Sequence, residues 1–256
     1  MKDWLRRLFY AWAPQVVQNA RVRAVLVANA RALAARAGNV TDPESLWRLL
    51  AEYPVFSALQ REWEIVRLLR AVRDLQPTRL CEIGTANGGT SFLLARVAPP
   101  GSILVTADLS PRPGRAEALA ILGAPRCAIR QVHGDSRADA TERVIRAAAG
   151  GEPFDFLLID GDHGYNGVAA DFERYRKLVR RGGIIALHDI VQDTRRRSGV
   201  QGPGDAGDVP RFWRELVSRF PGATSEIVEN PDQDACGIGI VIKGEMGDER
   251  QETRDE

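Results

Sequence analysis

The chain is poor in the residues that usually advertise a mechanism. It has three cysteines in 256 residues, and Cys81, Cys127 and Cys236 fall in strand-like runs with no pairwise or metal-binding spacing. That excludes a disulfide scaffold and a cysteine-rich metal domain, and it reads as three small buried residues in a reducing, cytoplasmic setting. No apolar stretch approaches the roughly 20 residues that span a bilayer, and the N-terminus lacks the unbroken apolar core and cleavage site of a secretion signal. The net charge is +1, which excludes the strongly basic surface of a nucleic-acid binder. Histidine is scarce too: His133, His163 and His188 are all there are. What remains is an ordinary apolar content over a length sufficient for one substantial α/β core.

Two of the three histidines fall in one constellation. Leu157-Leu158-Ile159 runs into Asp160-Gly161-Asp162-His163, and a second apolar run ends in Leu187-His188-Asp189. The span Gly164 to Val179 reads as a crossover helix. In a right-handed βαβ unit both strands open at the same sheet edge, so Asp160, His163, His188 and Asp189 are expected to converge there. Asp162 reads as a solvated loop acid, and His133 as structural.

The preceding stretch supplies a cofactor pocket. Arg79 to Gly84 is a short apolar strand entering Thr85-Ala86-Asn87-Gly88-Gly89-Thr90-Ser91, which opens a helix over Phe92 to Val97. Glycines at such a turn let a ligand approach the backbone, and the helix N-terminus offers free amide donors. The next strand, Ile103 to Ala107, ends in Asp108, a carboxylate suited to the two hydroxyls of a ribose. A third, Cys127 to Val132, ends in His133-Gly134-Asp135-Ser136, where an adenine ring would be met; Asp135 serves equally as a helix cap. A dinucleotide fold needs Gly-x-Gly-x-x-Gly, but the second glycine position is Ala86, and Glu82 stands two residues before Gly84. A carboxylate beside the loop suits a cationic sulfonium and amino acid better than a pyrophosphate. S-adenosylmethionine therefore fits better than NAD, with Glu82 and Gly84, next to Thr85 and Gly88, shaping its methionine end.

At this point the chain resembles the class I S-adenosylmethionine-dependent methyltransferases. Within them it is similar to the metal-dependent small-molecule O-methyltransferases related to macrolide-sugar methyltransferases and cephalosporin hydroxylase-like proteins. The resemblance spans roughly residues 60 to 243 and rests on Glu82-Ile83-Gly84-Thr85, Ile159-Asp160-Gly161-Asp162-His163-Gly164-Tyr165, Arg181-Gly182-Gly183, His188-Asp189 and Val209 to Leu216. It implies a doubly wound Rossmann-like sheet, mostly parallel with an antiparallel edge hairpin. It also implies Asp160 and Asp189 as metal ligands, His163 as general base, a small-molecule hydroxyl acceptor such as a sugar or natural product, and a homo-oligomer slightly favoured over a monomer. Some relatives carry an acid at the position of His188, so a third ligand there is an open assignment.

The chemistry suits those residue types. Methyl transfer from a sulfonium is an in-line displacement, so the protein must align the acceptor oxygen and remove its proton. A divalent ion lowers the acceptor's pKa, and an imidazole collects the proton near neutrality. Oxygen ligands point to Mg²⁺; His188 as a ligand tilts the choice toward Mn²⁺. Against this stand an NAD-dependent oxidoreductase, and an inactive Rossmann-like protein that binds a partner. In the blandest reading the strand-end aspartates only cap the elements that follow them.

The organisation expected is a helical N-terminal extension over 1–56, a methyltransferase domain over 57–243 and a charged, disordered tail over 244–256. The first 37 residues are helical in pattern, interrupted at Pro14, and carry Lys2, Arg6, Arg7, Arg21, Arg23, Arg31 and Arg36 against Asp3 alone. Their aromatic end, Trp4, Leu5, Leu8, Phe9 and Trp12, suits docking on the domain or on a second copy better than on a membrane. Gly38 to Pro43 reads as a linker, and helices are expected over Glu44 to Glu52 and Ser57 to Leu75. Val191 to Val209, with Arg195-Arg196-Arg197, is long enough to be a lid or disordered. Helix Arg211 to Phe220 and strands Thr224 to Val228 and Gly237 to Ile242 close the chain.

Overall fold

The structure, a computed structural model, describes residues 3–193 and 206–244, with side chains from residue 16 onward. The arginine run Arg195 to Arg197 with most of the expected lid, the aromatic side chains at the start of the first helix, and the tail beyond 244 lie outside the described residues.

Short apolar runs become the strands β1 (Arg79–Ile83), β2 (Ser102–Asp108), β3 (Cys127–His133), β4 (Phe154–Ile159), β5 (Val179–His188), β6 (Thr224–Ile227) and β7 (Ile238–Ile242). They form one sheet in the order β3-β2-β1-β4-β5-β7-β6. The first five are parallel, and β7 runs antiparallel to both β5 and β6. This is the expected Rossmann-like sheet, mostly parallel with an antiparallel edge.

Because side chains alternate along a strand, each strand feeds two cores. Leu80, Leu104, Phe156, Leu158 and Ala186 face one layer, formed by helices α1 (Asp3–Ala37), α2 (Pro43–Ala51), α3 (Glu62–Leu75), α4 (Gly89–Val97) and α5 (Arg115–Gly123). Cys81, Ile83, Leu157, Ile159, Ile185 and Leu187 face the other, formed by α6 (Asp139–Ala148), α7 (Tyr165–Tyr175) and α8 (Val209–Arg219). Tertiary layering thus places β1 and β4 in the centre with both faces covered. Among the described residues no helix is long and apolar enough to cross a membrane.

Two local expectations differ from what is found. The first helix runs without interruption through Pro14; a proline removes a single ladder bond, and the turns that follow are held by Leu26, Ala30, Leu33 and Ala37, all buried in the first core. The third helix begins at Glu62, not Ser57. After a 3₁₀ turn at Pro54–Phe56 the chain stays extended, because it lies against the first turn of α4. There a Cβ on Gly89 would stand 2.0 Å from the Phe56 carbonyl oxygen, so only glycine permits that approach. The loop so formed carries Ser57 and Gln60 toward the sheet edge.

Residues before 57 share the core of the sheet: Leu33, Leu46 and Phe56 are fully buried in it. Leu33→Ala is therefore expected to cost about 2–5 kcal/mol in urea unfolding, while exposed Val22→Ala changes stability by no more than about 0.5 kcal/mol. Equal, negligible effects would show α1 to be an appendage.

Candidate active site

Strand order reverses between β1 and β4, and the crevice opens at their C-terminal ends. A cavity of about 440 Å³ lies there, lined among others by Gly84, Ala86, Asp108, Asp135, Ser136 and Asp160. The two strands separate only just enough to admit it. The Asp160 amide donates to the Ile83 carbonyl at 2.8 Å, and a Cβ on Gly84 (φ +101°) would lie 1.8 Å from the Asp160 carbonyl oxygen. No residue with a side chain can occupy that position without moving β4.

Behind the cavity wall runs a buried polar chain. Thr85 and Thr106 share a hydroxyl hydrogen bond of 2.6 Å, Thr106 donates to Glu82 Oε2 at 2.6 Å, and Ser91 at the start of α4 donates to the same oxygen. Glu82 is fully buried, and among the described residues its Oε1 has no hydrogen-bond partner. Burial pushes its pKa up to about 7 despite the Ser91 and Thr106 hydrogen bonds, with the negative charges of Asp160 and Asp108 adding to the effect. Glu82, Thr85 and Gly88 thus stand behind or beside the cavity, whereas Gly84, Asp108, Asp135 and Ser136 line it.

Asp108 is held from three directions. Its Oδ2 accepts from the Ala86 amide at 2.9 Å and from Arg115 at 3.2 Å, and its Oδ1 accepts from the Ser110 amide at 2.7 Å. A carboxylate has about four acceptor positions, so capacity remains for a hydroxyl donor from the cavity. Buried Arg115 also donates to the carbonyls of Ala86 and Ser110 and clasps both loops around Asp108. Asp135 turns onto Arg137, accepting from its amide and guanidinium, and does not cap α6. Asp162 is a half-exposed loop acid bonded to the Gly164 amide, and His133 is tied to the Leu109 carbonyl, as expected of both.

The four strand-end residues converge. His188 Nδ1 lies 3.2 Å from both Asp160 Oδ1 and Asp189 Oδ2. His163 Nε2 lies 3.4 Å from Asp189 Oδ2 and 3.9 Å from Asp160 Oδ1. Ligand-capable atoms of Asp160, His163 and Asp189 all fall within 4.8 Å of one another. Burial alone would raise the pKa of Asp160, but the charge of His188 and hydrogen bonds from both imidazoles outweigh it and hold the carboxyl below the usual range. Burial likewise opposes charge on His188, yet Asp160, followed by Asp189, raises it well above 6.5. Two carboxylates aimed at a shared cationic position, with nitrogen donors beside them, fit a divalent ion. Asp189 adopts φ +64°, a conformation that costs a non-glycine residue about 1–3 kcal/mol and that clusters at functional sites.

Three contributors escaped the sequence reading. Gln60, from the loop before α3, donates to Asp160 Oδ2 at 2.9 Å while accepting from Thr90, and Arg115 braces Asp108. Cys236 corrects an expectation: it lies on the turn before β7, partly exposed, beside His188 and Asp189, not inside a strand. Spacing could not reveal it, because its neighbours are 47 and 48 positions away. A larger depression of about 560 Å³ between α1 and the loop before α5 is lined by Val22, Val25, Val55 and arginines, with no acid, imidazole or thiol; the chemistry stays with the first cavity.

A family model described as a methyltransferase domain matches residues 81–190, from β1 past the end of β5. The chain is 28% identical over 188 residues to a catechol O-methyltransferase of Mycobacterium tuberculosis (strain ATCC 25618 / H37Rv), covering 70% of this chain and 76% of that protein. Its fold is similar to that of the O-methyltransferase TomG from Streptomyces achromogenes, involved in tomaymycin synthesis and solved with S-adenosylmethionine (TM-score 0.55, 23% identity, 79% of this chain and 90% of that one). It is similar as well to the MycE methyltransferase of the mycinamycin biosynthetic pathway in complex with Mg, S-adenosylhomocysteine and mycinamycin VI (TM-score 0.53, 21% identity, 79% of this chain and 54% of that one).

Glu82 yields a pH test. A carboxyl whose folded-state pKa is raised from 4.5 to about 7 contributes stability that is fully present below pH 4.5 and lost as pH rises through 7. Relative to Glu82→Gln, the wild type should therefore lose about 3 kcal/mol of unfolding free energy between pH 4.5 and pH 7. A flat difference across that window in urea titrations would mean that the carboxyl is solvated.

Proposed function

We propose, for a chain that belongs to the class I S-adenosylmethionine-dependent O-methyltransferases, that it methylates a hydroxyl of a small molecule with the help of a divalent ion held at the ends of β4 and β5. One observation carries this reading: the cavity flanked by Gly84 and Asp108 and the cluster of Asp160, His163, His188 and Asp189 meet at the same strand end, Asp160 belonging to both.

In this reading Asp108 receives the ribose hydroxyls, kept in place by Arg115. Asp135 and Ser136 border the adenine, and Gly84, Thr85 and Gly88 with Glu82 behind them shape the methionine end. Asp160 and Asp189, with His188 completing the set, hold the ion, which is Mg²⁺ or Mn²⁺ by donor type. When bound, the cofactor supplies a methyl on a sulfonium and the ion lowers the acceptor's pKa. The protein's own work is alignment and proton removal. Gln60 fixes the rotamer of Asp160 through Thr90. His163, its side chain 34% exposed and its Nε2 3.4 Å from Asp189, is the more exposed of the two imidazoles and the one we assign to the incoming hydroxyl. The bound cofactor would supply the methyl carbon with sulfur as the leaving group, and His163 would take up the proton released by the acceptor hydroxyl. The catechol in one relative's name and the mycinamycin VI bound to another make phenols and sugar or natural-product hydroxyls the first acceptors to try.

The test is calorimetric titration with S-adenosylhomocysteine, with and without Mg²⁺, and with NAD as comparator. Saturable binding of S-adenosylhomocysteine alone is expected; binding of NAD in its place would turn the assignment to a hydride carrier, and binding of neither would favour the inactive partner-binding reading. With an acceptor in hand, His163→Ala is expected to lower kcat about 10²–10⁴-fold. Asp160→Asn and Asp189→Asn should abolish stimulation by metal and leave S-adenosylhomocysteine binding intact. Unchanged stimulation would show the metal assignment to be wrong.

A further inference from the structure

Cys236 has a setting that the methyl-transfer mechanism does not use. A ring nitrogen of His188, a carboxylate oxygen of Asp189 and the Cys236 thiol lie within 4.8 Å of one another. Atoms so spaced leave a point within about 2.8 Å of all three, small rotations away from the roughly 2.0–2.3 Å of zinc–nitrogen and zinc–sulfur bonds. An independent observation points the same way. His188 is only 4% exposed, its Nδ1 faces the two aspartates, its buried Nε2 makes no hydrogen bond of good geometry among the described residues, and the Cys236 side chain is close enough to favour the ring's charged form. A buried nitrogen left unsatisfied is costly unless something binds it.

The surrounding chain holds this corner firmly. Ala235 and Cys236 both take left-handed conformations, at φ +60° and +61°. Fully buried Glu64 anchors the turn, accepting from the Gly237 amide at 2.9 Å and from Gln233 at 2.6 Å. The Val191 amide donates to the Cys236 carbonyl at 2.9 Å, tying the turn to the segment after Asp189.

We propose that His188, Asp189 and Cys236 form a second cation position, selective for a thiophilic divalent ion such as Zn²⁺ or Co²⁺, next to the carboxylate cluster and sharing His188 and Asp189 with it. Nitrogen, sulfur and one carboxylate are the donor set of zinc, whereas Mg²⁺ takes oxygen. Because His188 and Asp189 are shared, a thiophilic ion draws them from the harder ion and inhibits Mg²⁺-supported methyl transfer. That last consequence alone rests on the methyltransferase reading.

The experiment is a titration of metal-free full-length protein with CoCl₂, read by the near-ultraviolet sulfur-to-cobalt charge-transfer band, and with ZnCl₂ by calorimetry. The other two thiols do not interfere: Cys81 and Cys127 are buried in β1 and β3, and burial pushes Cys127 up to about 12 and Cys81 higher still. The band is expected in the wild type and in D160N and absent in C236S, with Zn²⁺ affinity falling at least about tenfold in C236S. Zn²⁺ but not Mg²⁺ should also slow alkylation of Cys236 by iodoacetamide in the wild type, a readout that needs no variant. Cobalt bound without the band, unchanged Zn²⁺ affinity in C236S, or loss of the band in D160N overturns the proposal. None of these readouts requires cofactor or turnover, so a failed methyltransferase reading, seen as no S-adenosylhomocysteine binding, is distinguishable from a failed metal site.

Discussion

The contact on which the site depends is between backbones: Gly84 lies against the carbonyl of Asp160. β1 and β4 are neighbours in the sheet, and the topology sends the chain away from them in opposite directions, β1 toward α4 on one face and β4 toward α7 on the other. A crevice opens between the departing chains, but its two walls remain in van der Waals contact at its base. The wall that would hold the cofactor and the wall that would hold the metal therefore cannot drift apart. Any side chain at position 84 would separate them, which couples the geometry of the two halves of the site to a single missing Cβ.

Electrostatics then determines how charge can be stored beside that contact. Asp160, Asp189 and buried Glu82 put three carboxyls into a region of low dielectric, where three negative charges would repel strongly. The solutions differ by environment. Glu82 has only hydroxyl donors and is pushed toward its neutral form near pH 7, whereas Asp160 has imidazoles and stays ionised. Carboxyls with opposite shifts keep negative charge at the strand-end cluster and limit it behind the turn that follows β1.

The N-terminal segment belongs to this site as well as to the core. α1 and α2 cover one face of the sheet, and the loop they lead into places Ser57 against Asn87 and Gln60 against Asp160. One short stretch thus bridges the turn at Asn87 and the Asp160 carboxylate. Gln60 is one hundred positions from Asp160, so no local pattern could have linked them. Arg115 and Cys236 were equally invisible, since each acts through a partner brought to it by the sheet.

Periodic apolar runs, glycines at strand-to-helix turns and acids at strand ends were enough to read a Rossmann-like sheet and to place Asp108, Asp160, His163, His188 and Asp189 at one edge, because strand polarity and crossover handedness follow from local chemistry. The start of α3 was misread for the opposite reason: residues 57–61 have a helical composition, and packing of Phe56 on Gly89 overrides it. By itself the sequence determined which side chains could do chemistry and which strand ends would carry them. Only the tertiary structure decided that Glu82 is buried behind the loop, that Gln60 and Arg115 brace the two key aspartates, and that Cys236 stands beside His188, since solvent exclusion and long-range approach are properties of packing and have no local sequence signature.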